Sequence, residues 1–207
     1  MSKEFCAMGL TLGQANALAK KLGGMEIVEG ILNGTIRFTV EQVKKVYNFL
    51  KPIASAMLPA TEVFDPKELD RSDVWLSDGM KRFILPAAEL IGPLPEGGLH
   101  RFDLKKPAYD KQIVSELPEN HVLSASEFFA RFAKLTALQP NGKRGVLLAN
   151  GYVNIVYVYG VNGEVFAAFV SWHSDYRQWS FRAFRLDDFQ WYDGHRVLVA
   201  TTDSSVS

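Results

Sequence analysis

Apolar and polar positions alternate most clearly in the last quarter of the chain, from Gly145 to Ala200. Val, Tyr, Phe and Trp recur there at every second residue, and Asn150-Gly151 and Asn162-Gly163 interrupt the runs. Alternating β-branched and aromatic residues broken by Asn-Gly pairs predict strands joined by hairpins. Strands are expected over 145–149, 152–159, 164–173, 178–186 and 195–200. In the second of these, Val153, Ile155, Tyr157 and Tyr159 face one way, and Tyr152, Asn154, Val156 and Val158 the other. Both faces are largely apolar, so one must be covered by helices, by a second layer or by a partner.

Helical spacing takes over upstream. Ser124-Ala125-Ser126-Glu127 is a capping box opening a helix over 126–138, with Phe128, Phe129, Phe132, Leu135 and Leu138 as its apolar face. That helix is the expected cover for the sheet. Thr11 to Gln14 is another capping box, for a helix ending at Gly23-Gly24, and a short helix follows from Met25 to Leu32. Thr35 to Phe38 reads as extended. Thr39 to Gln42 opens a third helix whose inner face is Val43, Val46, Tyr47 and Leu50, before Pro52. In the middle of the chain Val74 to Leu76 and Leu99 to Lys105 read as strands. Ser77 caps a helix running to Leu85, and Asp110 to Leu117 is helical. Every proline except Pro52 lies between 59 and 140, so this part is the least regular.

The fold class expected is α+β. Residues 1–58 form a helical segment, 59–140 a mixed one, and 141–200 an antiparallel β-meander or small barrel of about five strands packed with the 126–138 helix. The tail, 201–207, is polar and expected to be disordered.

Composition narrows function mainly by exclusion. With 207 residues and 47% apolar content the chain can bury a sizeable core. Its formal net charge is zero, which gives no long-range attraction to phosphate backbones or acidic membranes. A single cysteine, Cys6, excludes an intramolecular disulfide and a Cys-based zinc site. No signal-like or membrane-spanning run is seen, so a soluble cytoplasmic protein without membrane contact is expected.

Motif chemistry is sparse. The two N-terminal helices meet at a Gly-containing turn, as in a helix-turn-helix, but the second offers Glu26 and Glu29 where base reading needs donors. His173, Asp175 and His195 would make a two-His, one-Asp metal set, and a metal-dependent hydrolase, only if their loops met; surface loops are the plainer reading. No nucleophile elbow, phosphate-binding loop or dinucleotide fingerprint occurs, so no catalytic residue, metal or cofactor is assigned.

The fuller signal is arginine among aromatics. Arg177, Arg182 and Arg185 sit among Tyr176, Trp179, Phe181 and Phe184, with Trp172 before them and Trp191 and Tyr192 beyond. Alternation puts Trp179, Phe181 and Arg185 on one face, and Arg182 and Phe184 on the other. A plain aromatic core edged by arginines accounts for much of this. Exposed, the same residues suit a protein interface or, as the alternative, a single-stranded nucleic acid. The binding residues expected are Trp172, Tyr176, Arg177, Trp179, Arg182, Arg185, Trp191 and Tyr192. The leading expectation is a non-enzymatic interaction protein that binds a protein partner or self-associates.

The opening LTLGQANALAKKLGGMEIVEGILNG and the later RGVLLANGYVNIVYVY and W-x-F-R-A-F-R-L-D-D are similar to a family of uncharacterised proteins from small-genome candidate-phyla bacteria. The resemblance implies a bacterial, soluble protein and brings no activity or site residue with it.

Overall fold

The computed structural model describes residues 47–69 and 73–201. The expected helices within 1–46, the helix-turn-helix reading, Cys6 and the tail beyond 201 lie outside them. Among the described residues eight strands form one mixed sheet. They are β1 (Leu50–Leu58), β2 (Val74–Leu76), β3 (Gly97–Leu104), β4 (Val122–Leu123), β5 (Asn154–Tyr159), β6 (Val165–His173), β7 (Gln178–Arg185) and β8 (Arg196–Thr201). Their order is β1-β3-β8-β5-β6-β7-β2, with β4 beside β5. The sheet stays open, with β1 and β2 at its edges, so it is not a barrel. Nor is it a pure meander, because β8 and β4 run parallel to β5, and β2 runs parallel to β7.

The β5–β6–β7 hairpins follow the alternation of the sequence. Asn162 (φ 59°) and Gly163 (φ 71°) take left-handed conformations in the β5–β6 turn, which an Asn-Gly pair adopts with little strain. β1 differs from expectation, since Leu50 opens a strand rather than closing a helix. Pro52 is tolerated there because an edge strand leaves one side of its backbone unpaired.

Residues 145–149 differ too, forming a loop instead of a strand. Two buried amides supply what a ladder would have supplied. Gln139 accepts from the Leu147 N–H (2.8 Å) and donates to the Leu147 and Lys143 carbonyls. Asn154 accepts from the Leu148 N–H (2.8 Å) and donates to the Leu148 carbonyl. The backbone is satisfied without a strand partner, and the free side of β5 is left to β8 and β4.

Both apolar faces of the sheet are covered by the chain's own elements. Over one lies α2 (Ala125–Ala137), N-capped by Ser124, whose hydroxyl accepts from the Glu127 N–H. Phe128, Phe129, Phe132 and Leu135 pack onto Val156, Val158, Phe166, Val170, Trp179 and Phe181. Leu138, expected on that face, is the exposed C-cap. The Glu127 carboxylate turns to the buried Arg131 (2.8 Å).

The opposite face is covered by a short helix, α1 (Asp110–Val114), and by Trp191. Ile113, Leu117 and Trp191 share a core with Leu50, Phe102, Ile155, Tyr157 and Phe169. Glu116, also buried, accepts from the N–H groups of Asn48, Phe49 and Leu50 and so fixes where β1 begins. Among the described residues no helix is long and apolar enough to cross a membrane.

Candidate functional site

The α1 cover reaches only part of its face. Outside that cover the outward positions of β6 and β7 are mostly polar, with Ser171 and Ser180 buried and the rest at least partly exposed. They are Ser171 and His173 on one strand and Gln178, Ser180, Arg182 and Phe184 on the other, in antiparallel register. Trp75 joins them because β2 pairs with β7 in the register Trp75↔Ser180, which puts both on one face. With Tyr176 from the intervening turn, Trp75, His173, Gln178, Ser180 and Arg182 line a cleft of about 330 Å³.

The floor of the cleft is a compact polar network. Ser180 Oγ lies 2.9 Å from His173 Nε2 and 2.9 Å from Ser171 Oγ, and Ser171 Oγ is 3.3 Å from the same ring nitrogen. Ser180 is 2% exposed, so its hydroxyl faces the imidazole beneath the surface. Burial first, and then the charge of Arg182, hold the His173 imidazole below its ordinary value, while Asp175 offsets part of this. The ring is therefore neutral at pH 7. The Arg182 guanidinium lies over the Trp75 ring at 5.1 Å, and its Nε is buried without a hydrogen-bond partner.

Tyr176 stands 79% exposed in the turn. That turn closes on Arg177, at φ 50°, whose backbone N–H donates to the Ser174 carbonyl and whose side chain reaches Asn141 (2.9 Å).

Past Arg182 the same face carries an aromatic patch. Phe184, Leu186, Phe189 and Tyr192 are all partly exposed. Phe189 is the hub, with ring centroids 6.0 Å from Phe184, 5.3 Å from Trp191 and 6.1 Å from Tyr192. Asp187, Asp188 and Asp193 rim the patch and are exposed.

The eight residues expected to bind thus part company. Tyr176 and Arg182 share the cleft, and Tyr192 belongs to the patch. Arg177 extends from the turn toward Asn141. Trp179 and Trp191 are each 1% exposed and are core residues on opposite faces. Trp172 is half-buried against Trp179 on the α2 side. There Gly142, at φ 68°, comes so close to the indole that a Cβ would collide with it. Arg185 also points to the α2 side, over Phe83 and Phe166, in an exposed pair with Glu164.

Trp75, Ser171, Ser180 and Phe189 did not figure in the sequence reading. A signal was present for Ser171, which interrupts the apolar run Val165, Ala167 and Phe169, but not for Ser180, which stands between Gln178 and Arg182 on its strand face.

His173, Asp175 and His195 do not assemble. His195 Nδ1 accepts from the Val153 N–H (3.2 Å), and its ring packs edge-on between Tyr152 and Trp191. Burial holds it below its ordinary value, partly offset by Asp193. No group of three or more His, Cys, Asp or Glu side chains suited to a metal occurs among the described residues.

Sheet and uncovered face together define a class: an open mixed sheet, covered on both sides by its own chain, with one polar-aromatic strip left bare. No family model matches the chain, and no curated protein or solved structure matches it.

Proposed function

We propose that this is a protein-interaction module whose contact surface is the patch of Phe184, Leu186, Phe189 and Tyr192. One observation carries the reading. The sheet also exposes Trp75 and Tyr159, but Phe184, Phe189 and Tyr192 remain in solvent as a group whose rings meet at Phe189. Clustered exposed aromatics are costly to keep in water and are typical of interface centres.

The rim selects the partner. Asp187, Asp188 and Asp193 repel a phosphate backbone, so the patch itself disfavours nucleic acid. They favour a polypeptide that offers an apolar anchor flanked by Lys or Arg.

Selection from a random peptide library, with Phe189→Asp protein for counter-selection, tests this. The expected winners carry a basic residue next to an aromatic or large aliphatic one and lose binding to the Phe189→Asp protein. Stability of that variant should stay within about 1 kcal/mol of the parent, because Phe189 is partly exposed. Winners that bind both proteins equally would remove the patch as the contact surface. Self-association that Phe189→Asp abolishes, seen by sedimentation, would make a second copy the partner. Salt-sensitive binding of single-stranded RNA would point to nucleic acid instead.

A further inference from the structure

We propose that the cleft between Trp75 and Tyr176 is a binding site for a small planar organic anion, a single phosphate or carboxylate group carried on an unsaturated ring. The cleft is distinct from the Phe189 patch, so the two can fail separately. No Asp or Glu among the described residues lines it, while a guanidinium, an imidazole, an amide and a hydroxyl do. Among the described residues no carboxylate pairs with Arg182, although Arg131, Arg185 and Arg196 each have one. A guanidinium stacked on an indole keeps its fork edge free, and that edge matches two oxygens of a phosphate or carboxylate. Its Nε is buried and finds no hydrogen-bond partner within the chain, so the protein itself does not use up the donors of this guanidinium.

The planar body follows from the walls. Trp75 is fixed in β2, and Tyr176 stands out from the turn with little of its ring covered. Arg182 already lies over the Trp75 ring, so an unsaturated ring stacks on Tyr176 and meets the edge of Trp75 while its anionic group reaches the guanidinium. A volume near 330 Å³ suits one ring with its substituents. The single guanidinium and zero net charge of the chain fit a lone anionic group better than a polyanionic strand.

His173 supplies a built-in reporter. The free imidazole is held low partly by Arg182. A bound anion beside it favours the protonated form, so binding raises the His173 pKa and tightens as pH falls. The network from Ser171 through Ser180 to the ring holds its orientation.

The test is calorimetric titration of the whole protein with adenosine monophosphate, benzoate, adenosine and inorganic phosphate, alongside NMR of the His173 ring protons. One of the two ring-bearing anions is expected to bind with 1:1 stoichiometry, at least about tenfold tighter than adenosine and inorganic phosphate. Which of the two does so identifies phosphate or carboxylate as the recognised group. Arg182→Gln should weaken that ligand by at least about tenfold. Tyr176→Ala, on an exposed turn where folding is not at risk, should weaken it several-fold, and saturation should move the His173 titration upward. The proposal is overturned if neither anion binds at millimolar concentration. It is equally overturned if adenosine binds as tightly as its monophosphate, or if both variants bind like the parent.

Discussion

Replacing Asp110 with Ala is expected to lower the stability of the fold by roughly 3–5 kcal/mol, because it leaves two buried donors and one partly buried donor unpaired at once. Asp110 is 1% exposed and accepts from the Tyr157 hydroxyl (2.9 Å), the Trp191 indole N–H (2.7 Å) and the Asp187 backbone N–H (2.8 Å). It therefore pins α1, the loop carrying Trp191 and strand β5 to one point. Burial, and then the charge of Asp110, keep the Tyr157 phenol well above its ordinary value, so it remains a donor.

Asn is a graded control. It keeps the oxygen that serves Tyr157 and Trp191 but sets an amide N–H₂ against the Asp187 N–H, so a loss of about 1–2 kcal/mol is expected. Burial raises the Asp110 carboxyl above its ordinary 3.8, with the three hydrogen bonds opposing it. The native state then holds the proton more tightly than the unfolded chain. The proton-linked part of Asp110's contribution is fully present below the unfolded value and is lost as pH rises through the folded one. The hydrogen bonds it accepts persist. Urea unfolding across pH 3–7 should show this slope in the parent and a flatter profile in Asp110→Asn. An Asp110→Ala protein as stable as the parent would show that the three donors find other partners.

Trp179→Ala is the second large effect, a loss of about 3–5 kcal/mol as expected for emptying a buried aromatic site. The indole packs on Trp172 at 5.5 Å and donates to the Gln139 carbonyl at 3.2 Å. Binding lost in this variant would report damage to the core rather than a missing contact. The Tyr176 and Phe189 substitutions probe the two surfaces without that complication. Thermal unfolding of the three variants side by side should show one large drop and two small ones. A small drop for Trp179→Ala would mean that the core refills around the space.

The sequence makes some of this legible and hides the rest for physical reasons. Strands β5, β6, β7 and β8 are readable because side-chain alternation is a local property, and α2 because its cap and its Phe stripe are adjacent in the chain. β1 is hidden by Pro52 and by apolar residues whose spacing also fits a helix. The two-residue β4 is too short to carry a period. The apolar run Val146 to Ala149 looks like a strand that it is not, since the Gln139 and Asn154 amides that replace a ladder there leave no mark on the pattern. The site divides in the same way. Tyr176 and Arg182 stand out as an aromatic-cation pair in one stretch. Trp75 enters only through the register of a parallel edge strand a hundred residues away in sequence, which no spacing encodes.

The central place of β8 has a consequence for synthesis. β1 and β3 on one side, and β5, β6 and β7 on the other, are joined into one sheet by β8, the last strand in chain order among those described. As the chain leaves the ribosome, the β1–β3 pair has no strand to dock on until residues 196–201 emerge. Until then Leu99 and Phe102 have lost their neighbours Ala200 and Val197. Two of the eight described strands must wait, with one apolar edge unpaired, for β8 to be inserted, and in that interval a nascent-chain chaperone has the most to hold.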